Sequence, residues 1–169
     1  MKTKDIALCG LLVTVALVLS IIEKMFPLQA IVPVPGIKLG LANVVTLFAL
    51  TKLDVKRAVA IVFCRVTLAS VFMGSVTGFA FALTGGLLAL IVMRLLLPLA
   101  GRSLSLLGVS VAGAAAHNIG QICAAVGVLG TADVIGYLPL LLLSAVPMGL
   151  VTGLTAQETL AHLDKISKI

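Results

Sequence analysis

Long apolar runs, separated by short clusters of charged residues, glycine and proline, are the main pattern of this chain. The runs predict six helices, with approximate bounds 5–24, 39–52, 55–74, 78–100, 104–130 and 136–160. Most of them reach the length of about 20 residues that is needed to cross a hydrocarbon layer of about 30 Å. The second is shorter, so we expect part of the preceding loop to lie at membrane depth, sheltered by protein. No repeat or domain boundary interrupts the pattern, which predicts a single all-α membrane domain over residues 1–169.

The fifth predicted helix combines small residues with polar ones. Small side chains recur there at four-residue spacing, at Gly108, Ala112, Ala116, Gly120 and Ala124. On a helix this spacing forms a ridge against which a second membrane helix packs closely. Beside the ridge, His117, Asn118 and Gln121 share one broad arc of the helix. In lipid, three hydrogen-bonding groups on one face require partners on neighbouring helices or a polar cavity, and we favour the cavity.

Composition and charge support membrane insertion. The chain is 61% hydrophobic and 11% charged, whereas soluble domains are about 45–50% apolar and about 25% charged. The formal net charge of +6 comes without a basic run interleaved with aromatic residues, which argues against a nucleic-acid partner. The partner that the composition predicts is the lipid bilayer.

The basic residues are divided unequally between the two sides of a six-helix arrangement. Only Lys24 and Lys38 lie on the side away from the termini. The side of both termini carries Lys2, Lys4, Lys52, Lys56, Arg57, Arg102, Lys165 and Lys168. By the positive-inside rule, this asymmetry predicts a multi-pass protein of the cell membrane with both termini in the cytoplasm.

One cation is not explained by topology. Arg65 lies near the middle of the third predicted helix, where an unpaired charge costs at least about 2.5 kcal/mol. Because all the acidic residues lie near predicted helix ends, we expect Arg65 to interact with backbone carbonyls, neutral side chains, water or a bound anion. A role in a ligand site or polar cavity and a purely structural role both remain open.

Other polar residues are predicted at the depth of His117, in the outer half of the membrane. They are Asn43 and Thr46 in the second helix and Thr84, before two glycines, in the fourth. Lys38 precedes the second helix and either adds positive charge above this region or anchors the helix at the interface.

Two further features concern the surface of the bundle. Pro35 and Gly36 are expected to fix a loop that covers the opening of the site. Gly10 and Thr14, on the first helix, are candidates for contact with a partner subunit.

The sequence contains no recognisable catalytic or cofactor motif. A Gly-x-x-x-x-Gly-Lys phosphate-binding loop is absent, and neither a Ser-His-Asp set nor a carboxylate pair forms at one depth. His117 has no carboxylate or thiolate at the spacing of metal ligands. These features argue against an enzyme, and we expect no metal and no cofactor.

Three motifs together resemble the Gx transporter family, whose members are also labelled heptaprenyl diphosphate synthase component I. They are Pro35-Gly36-Ile37-Lys38-Leu39-Gly40-Leu41-Ala42-Asn43, Thr84-Gly85-Gly86, and the stretch from Gly108 to Gln121. The family is similar to the S components of energy-coupling factor transporters. That similarity implies an S-component-like bundle of six helices with an outward-facing site under the first external loop. It also implies separate transmembrane and ATPase subunits that supply the energy.

Our leading hypothesis is therefore a transporter subunit that captures a small polar or anionic metabolite from outside. Its site residues are Lys38, Asn43, Arg65, Thr84, His117, Asn118 and Gln121. One alternative is a membrane accessory subunit of a heptaprenyl diphosphate synthase, since the chain has no two adjacent acidic residues and lacks the Asp-rich motif of catalytic synthases. Another is a structural subunit of a larger membrane complex.

Overall fold

The computed structural model describes residues 3–25 and 38–166 of the 169-residue chain. These residues form α-helices and two short 3-10 turns and contain no strand, which confirms the all-α class. The helices are α1 (Thr3–Lys24), α2 (Asn43–Lys52), α3 (Val55–Met73), α4 (Val76–Leu96), α5 (Leu106–Leu129) and α6 (Leu138–Ile166). The predicted loop at Pro35 and Gly36, and the basic residues Lys2 and Lys168, lie outside the described residues.

Local sequence signals set most helix ends. A side-chain oxygen caps the first turn of α3, α4 and α5, from Asp54, Ser75 and Ser105 respectively, at 2.8–3.0 Å. Glycines in the left-handed conformation follow α3 and α5, at Gly74 and Gly130. The predicted bounds of these helices are therefore close to those observed, while α6 extends beyond residue 160 to Ile166.

The start of α2 differs from the prediction. The helix begins at Asn43 instead of near residue 39, because Gly40 has a φ of +90° and residues 41–42 form a turn. Backbone groups of this segment bond to other helices: the Gly40 N–H donates to Glu23, and Lys38 pairs with Gln121. These contacts hold residues 38–40 in a non-helical conformation.

Four segments of the described chain are long and apolar enough to cross a membrane. They are Asp5–Glu23, Val76–Leu99, Leu106–Leu129 and Asp133–Leu163. The prediction of six membrane helices is thus confirmed for four of them. With ten residues, α2 reaches only about 15 Å, and α3 carries three cations, Lys56, Arg57 and Arg65, in 19 residues.

The short helix α2 lies at the centre of the bundle. It contacts each of the other five α-helices, and its residues Asn43 and Val45 to Leu50 are buried. Around it, α1 packs on α3, α3 on α4, α4 on α5 and α5 on α6. Because protein surrounds α2, this helix does not need the length of a membrane span.

Glycines bring α4, α5 and α6 close together. A Cβ added to Gly120 of α5 would lie 2.8 Å from the Gly85 Cα of α4. A Cβ on Gly153 of α6 would lie 3.0 Å from the Ser110 Cβ of α5, and the Ser110 hydroxyl lies 2.7 Å from that of Thr152. The close packing predicted for the small residues of the fifth helix is present at Gly120.

An ion pair joins the first turns of α1 and α3. The Arg57 Nη2 donates to the Asp5 Oδ2 at 2.9 Å. The amino-terminal ends of these helices therefore lie at the same end of the bundle. The end of α1, at Glu23, and the non-helical segment before α2, at Lys38, lie towards the opposite end.

Candidate functional site

Four buried polar residues from three helices form the candidate site. Asn43, Thr46, Arg65 and His117 are each at most 4% exposed. Seven of their side-chain atoms are buried and make no hydrogen bond: Asn43 Nδ2 and Oδ1, Thr46 Oγ1, Arg65 Nε and Nη2, and His117 Nδ1 and Nε2. Within the described residues, every buried side-chain nitrogen or oxygen without a partner belongs to this group, which we call the polar cluster.

The segment before α2 brings the α2 and α5 members together. A Cβ added to Gly40 would lie 2.8 Å from the Asn43 Nδ2 and 3.1 Å from the His117 Cδ2. Gly40 thus packs on both side chains, and its positive φ excludes most other residues. Thr46 lies one turn further along α2 and is 1% exposed.

Two adjacent glycines of α4 pack against His117 and Arg65. A Cβ on Gly85 would lie 3.0 Å from the His117 Cε1, and one on Gly86 would lie 3.2 Å from the Arg65 Nη2. Thr84 itself is exposed, and its hydroxyl donates to the Ala80 carbonyl of its own helix at 2.7 Å. The predicted Thr84-Gly85-Gly86 element therefore reaches the cluster through its glycines, and the structure does not bring the Thr84 side chain there.

A small cavity lies between two members of the polar cluster, Arg65 and His117, and the end of α1. It has a volume of about 10 Å³, which is room for one water molecule. Its lining residues are Ser20, Glu23, Lys38, Gly40, Arg65, Val66, Ala69, Ala82 and His117. Basic and acidic side chains thus line the same cavity.

Glu23 is the acidic residue of this cavity, and the sequence analysis did not select it. It is 5% exposed, its Oε1 accepts a hydrogen bond from the Gly40 N–H, and it lines the same cavity as Lys38 and Arg65. The expectation that no acidic residue lies near Arg65 is therefore wrong.

A sequence signal for Glu23 does exist. The buried residues of α1 are Leu12, Ala16, Ser20 and Glu23, at spacings of four, four and three residues. These spacings place the four residues on one face of α1. Glu23 therefore points towards the protein interior, although it lies at the end of the helix.

Gln121 and Asn118 have protein partners for their amide groups. The Gln121 Oε1 accepts from the Lys38 N–H, and its Nε2 donates to the Lys38 carbonyl, both at 2.7 Å. Asn118 accepts a longer bond of 3.4 Å from the Gln121 Nε2 and donates to the Leu141 carbonyl at 2.5 Å. Of the three predicted polar residues on α5, only His117 has side-chain atoms without a partner; the other two hold neighbouring segments in place.

The predicted partner-contact residues lie on the outer face of α1. The Thr14 hydroxyl donates to the Gly10 carbonyl at 3.0 Å, and both residues are exposed. A Cβ on Gly10 would meet nothing within 4 Å, and the exposed apolar residues Leu11 and Val15 flank the pair. Among the described residues this apolar face is exposed, and its contact with a partner stays a prediction.

The described residues contain no cluster of side chains suited to bind a metal ion. Over residues 3–25 and 38–166, no group of three or more His, Cys, Asp or Glu side chains is placed to hold a metal ion. In the cavity, Glu23 and His117 are accompanied by the cations Lys38 and Arg65. This arrangement is suited to hydrogen bonding and charge pairing.

Comparison with known protein families matches residues 12–159 to heptaprenyl diphosphate synthase component I. The chain belongs to this family. The matched region runs from α1 into α6 and contains Glu23 and all four residues of the polar cluster. Searches of curated proteins and of solved structures found no match. The resemblance to this family is thus confirmed, whereas the similarity to S components of energy-coupling factor transporters stays a hypothesis.

Proposed function

We propose that the chain is the non-catalytic membrane component of a heptaprenyl diphosphate synthase. The observation that carries this proposal is the family match over residues 12–159. A first component implies another one, and the sequence agrees with a division of labour. It has no two adjacent acidic residues that would hold a metal-bound diphosphate, so this role falls to a separate, Asp-rich catalytic component.

The apolar helices supply a reason for a membrane component. A long isoprenoid chain is apolar, and its transfer from water into a bilayer is favourable. A catalytic component held at the membrane by this protein would release its product directly into lipid. The four long apolar segments provide the membrane attachment.

For the orientation of the protein, we propose a cytoplasmic location of both termini in the cell membrane. The Asp5–Arg57 pair marks one end of the bundle. Lys52, the last residue of α2, and Arg102, in the connection from α4 to α5, lie at that end if successive helices alternate in direction. This excess of basic residues supports the cytoplasmic assignment. A soluble catalytic component would dock on that end.

Co-purification and product analysis test this function. The tagged chain, expressed with the Asp-rich prenyl diphosphate synthase of the same organism and extracted in mild detergent, should retain that enzyme. The pair should form more long-chain prenyl diphosphate than the enzyme alone. An enzyme that does not co-purify, and whose product has the same length and amount without the chain, would rule the proposal out.

A second function is favoured by the polar cluster: capture of a small polar or anionic metabolite from outside. Seven buried atoms without protein partners are more than a packing role requires, because each such atom is costly. These unpartnered atoms therefore support a ligand-binding role more than the role of a purely structural subunit. Such a transporter would need separate energy-coupling transmembrane and ATPase subunits, since the chain has no phosphate-binding loop.

Uptake by membrane vesicles tests the second function. Vesicles that contain the chain and its coupling subunits are compared with vesicles bearing Arg65→Ala or His117→Ala, with candidate metabolites supplied as a radiolabelled mixture. The variants should lose the uptake of at least one compound. Undiminished uptake by both variants would remove Arg65 and His117 from any transport site.

A further inference from the structure

The guanidinium of Arg65 presents one complete edge without a protein partner. Its Nε and Nη2 are both buried and unbonded, and together they form the planar edge from which two parallel N–H groups point. This edge matches the two oxygens of a carboxylate, in a bidentate pair that is stronger than a bond between neutral groups. The edge can only donate, so its occupant must supply acceptors.

The charges around the cavity favour an occupant with a single negative charge. Lys38 and Arg65 are cationic, and these two cations together with the Gly40 N–H favour the ionised form of Glu23 in the same cavity. One positive charge is therefore in excess. A monocarboxylate balances it, whereas a phosphate group with a charge of about −1.5 to −2 would leave negative charge uncompensated at low dielectric.

The other three members of the polar cluster require a second hydrogen-bonding group. Asn43, Thr46 and neutral His117 can each donate and accept, and all their side-chain nitrogens and oxygens lack partners. A simple fatty acid would leave these atoms unpaired. A hydroxyl or amide next to the carboxylate would bond to them.

A single water molecule does not satisfy the polar cluster. The cavity of about 10 Å³ has room for one water and is lined by Arg65 and His117 but not by Asn43 or Thr46, so a water there does not contact all seven unpartnered atoms. A larger occupant needs a movable wall. Residues 38–40 provide one because they are non-helical and are bonded to the bundle through the side chains of Gln121 and Glu23, with one backbone bond from the Asn43 N–H to the Gly40 carbonyl at the start of α2.

We infer that the polar cluster is a binding site for a small monocarboxylate that carries a neutral hydrogen-bonding group. Arg65 receives the carboxylate through its Nε and Nη2, and Asn43, Thr46 and His117 bind the second group. This inference rests on the second proposed function, capture of a small metabolite. It is independent of whether the chain also assists a prenyl diphosphate synthase.

The test uses the full chain in lipid nanodiscs and follows its thermal unfolding midpoint against ligand concentration at constant ionic strength. The probes are lactate, its neutral counterpart lactamide, propionate, which lacks the hydroxyl, and inorganic phosphate. Lactate should raise the midpoint with saturation. Propionate should act with an apparent affinity about ten-fold lower, since buried polar atoms of the site lose a hydrogen bond that the hydroxyl of lactate makes. Lactamide and phosphate should have no saturable effect.

Two substitutions of Arg65 and one control complete the experiment. Arg65→Gln should abolish the lactate effect, and Arg65→Lys, which keeps the charge but loses the planar edge, should weaken the apparent affinity at least ten-fold. Arg94→Gln removes an exposed arginine from α4 and should behave as the original chain. If Arg65→Gln fails to fold, the apparent lactate affinity of Arg65→Lys tests the role of Arg65 by itself.

Each contrary result has a distinct meaning. An equal effect of lactamide would overturn the carboxylate assignment but leave metabolite capture standing. A stronger effect of phosphate would overturn the choice of a monoanion. No saturable effect of any probe would overturn the inference, and combined with undiminished vesicle uptake by Arg65→Ala and His117→Ala it would end the second proposed function as well.

Discussion

The side chain of Gln121 pairs with the backbone of Lys38 through both of its polar atoms. Its Oε1 accepts from the Lys38 N–H and its Nε2 donates to the Lys38 carbonyl, each at 2.7 Å, across 83 positions of sequence. This is the pattern in which a neighbouring β-strand would satisfy a backbone. Gln121 thereby fixes the non-helical segment that covers the polar cluster.

The first prediction concerns these two hydrogen bonds between Gln121 and Lys38, which we call the clamp. Gln121→Glu keeps the shape of the side chain but places a carboxylate oxygen against the Lys38 carbonyl. We expect a loss of about 1–3 kcal/mol in the free energy of unfolding, since a buried acceptor loses its donor. Relative to the original chain, amide hydrogen exchange in Gln121→Glu should accelerate more at residues 38–40 than in α5.

Thr84→Val is the matched control, because the Thr84 hydroxyl bonds only within its own helix and the residue is exposed. Its effect should stay within about 0.5 kcal/mol. Unchanged exchange at residues 38–40 in Gln121→Glu would show that the clamp does not hold this segment.

The second prediction separates backbone strain from steric conflict at Gly40. Gly40→Ala forces a side chain into a positive φ and brings its Cβ within 3.1 Å of both Asn43 and His117. Gly74→Ala imposes a similar φ, but its Cβ meets nothing within 4 Å. Gly74→Ala should cost about 1–2 kcal/mol, and Gly40→Ala should cost more, as measured by thermal or denaturant unfolding. Equal costs would mean that Gly40 is not packed on the cluster.

The third prediction is an energetic coupling between Glu23 and Arg65. Glu23→Gln removes the negative charge of the cavity, and Arg65→Met removes one of its two cations. Either change alone should destabilise the protein, while the double variant should lose less than the sum of the two. We expect a coupling energy of about 0.5–3 kcal/mol in a double-mutant cycle of unfolding. Strict additivity would show that the two charges do not interact.

The fourth prediction compares two glycines of α5. A Cβ on Gly120 would lie 2.8 Å from the Gly85 Cα and from the Thr84 carbonyl oxygen, and backbone atoms cannot rotate away. Gly120→Ala should therefore destabilise the α4–α5 contact by about 1–3 kcal/mol.

At Gly127 an added Cβ meets nothing within 4 Å. Gly127→Ala should therefore stabilise the protein by up to about 1 kcal/mol through helix propensity. Thermal unfolding of the two variants should shift in opposite directions. A shift of the same sign in both would contradict the close packing at Gly120.

The helices could be predicted from the sequence because two independent signals agree at most of their ends. Apolar runs give the interiors, and residues such as Asp54, Ser75 and Gly130 set the boundaries through capping. The start of α2 could not be found in this way, because tertiary bonds from Glu23 and Gln121 keep residues 38–40 out of the helix.

Part of the candidate site could be predicted, because a polar residue in the middle of an apolar helix is itself a sign of a buried polar site. A cation or an imidazole within a membrane helix must face the protein interior, and this reasoning selected Arg65 and His117. It missed Glu23, because a position at a helix end was taken as a position at the surface. It also grouped Gln121 with His117, since a shared helix arc does not reveal which side chains bond to a distant backbone.

The length of α2 has an electrostatic consequence. Because the helix has only ten residues and starts at the buried Asn43, its amino-terminal end lies beside the polar cluster rather than at the membrane surface. The aligned peptide dipoles of a helix place about half a positive charge at this end, and Glu23, which accepts from the Gly40 N–H just before the helix, offsets part of it. The main chain thus adds to the positive potential of Arg65 and Lys38, so the affinity of this region for anions depends on where one helix stops as well as on which side chains surround it.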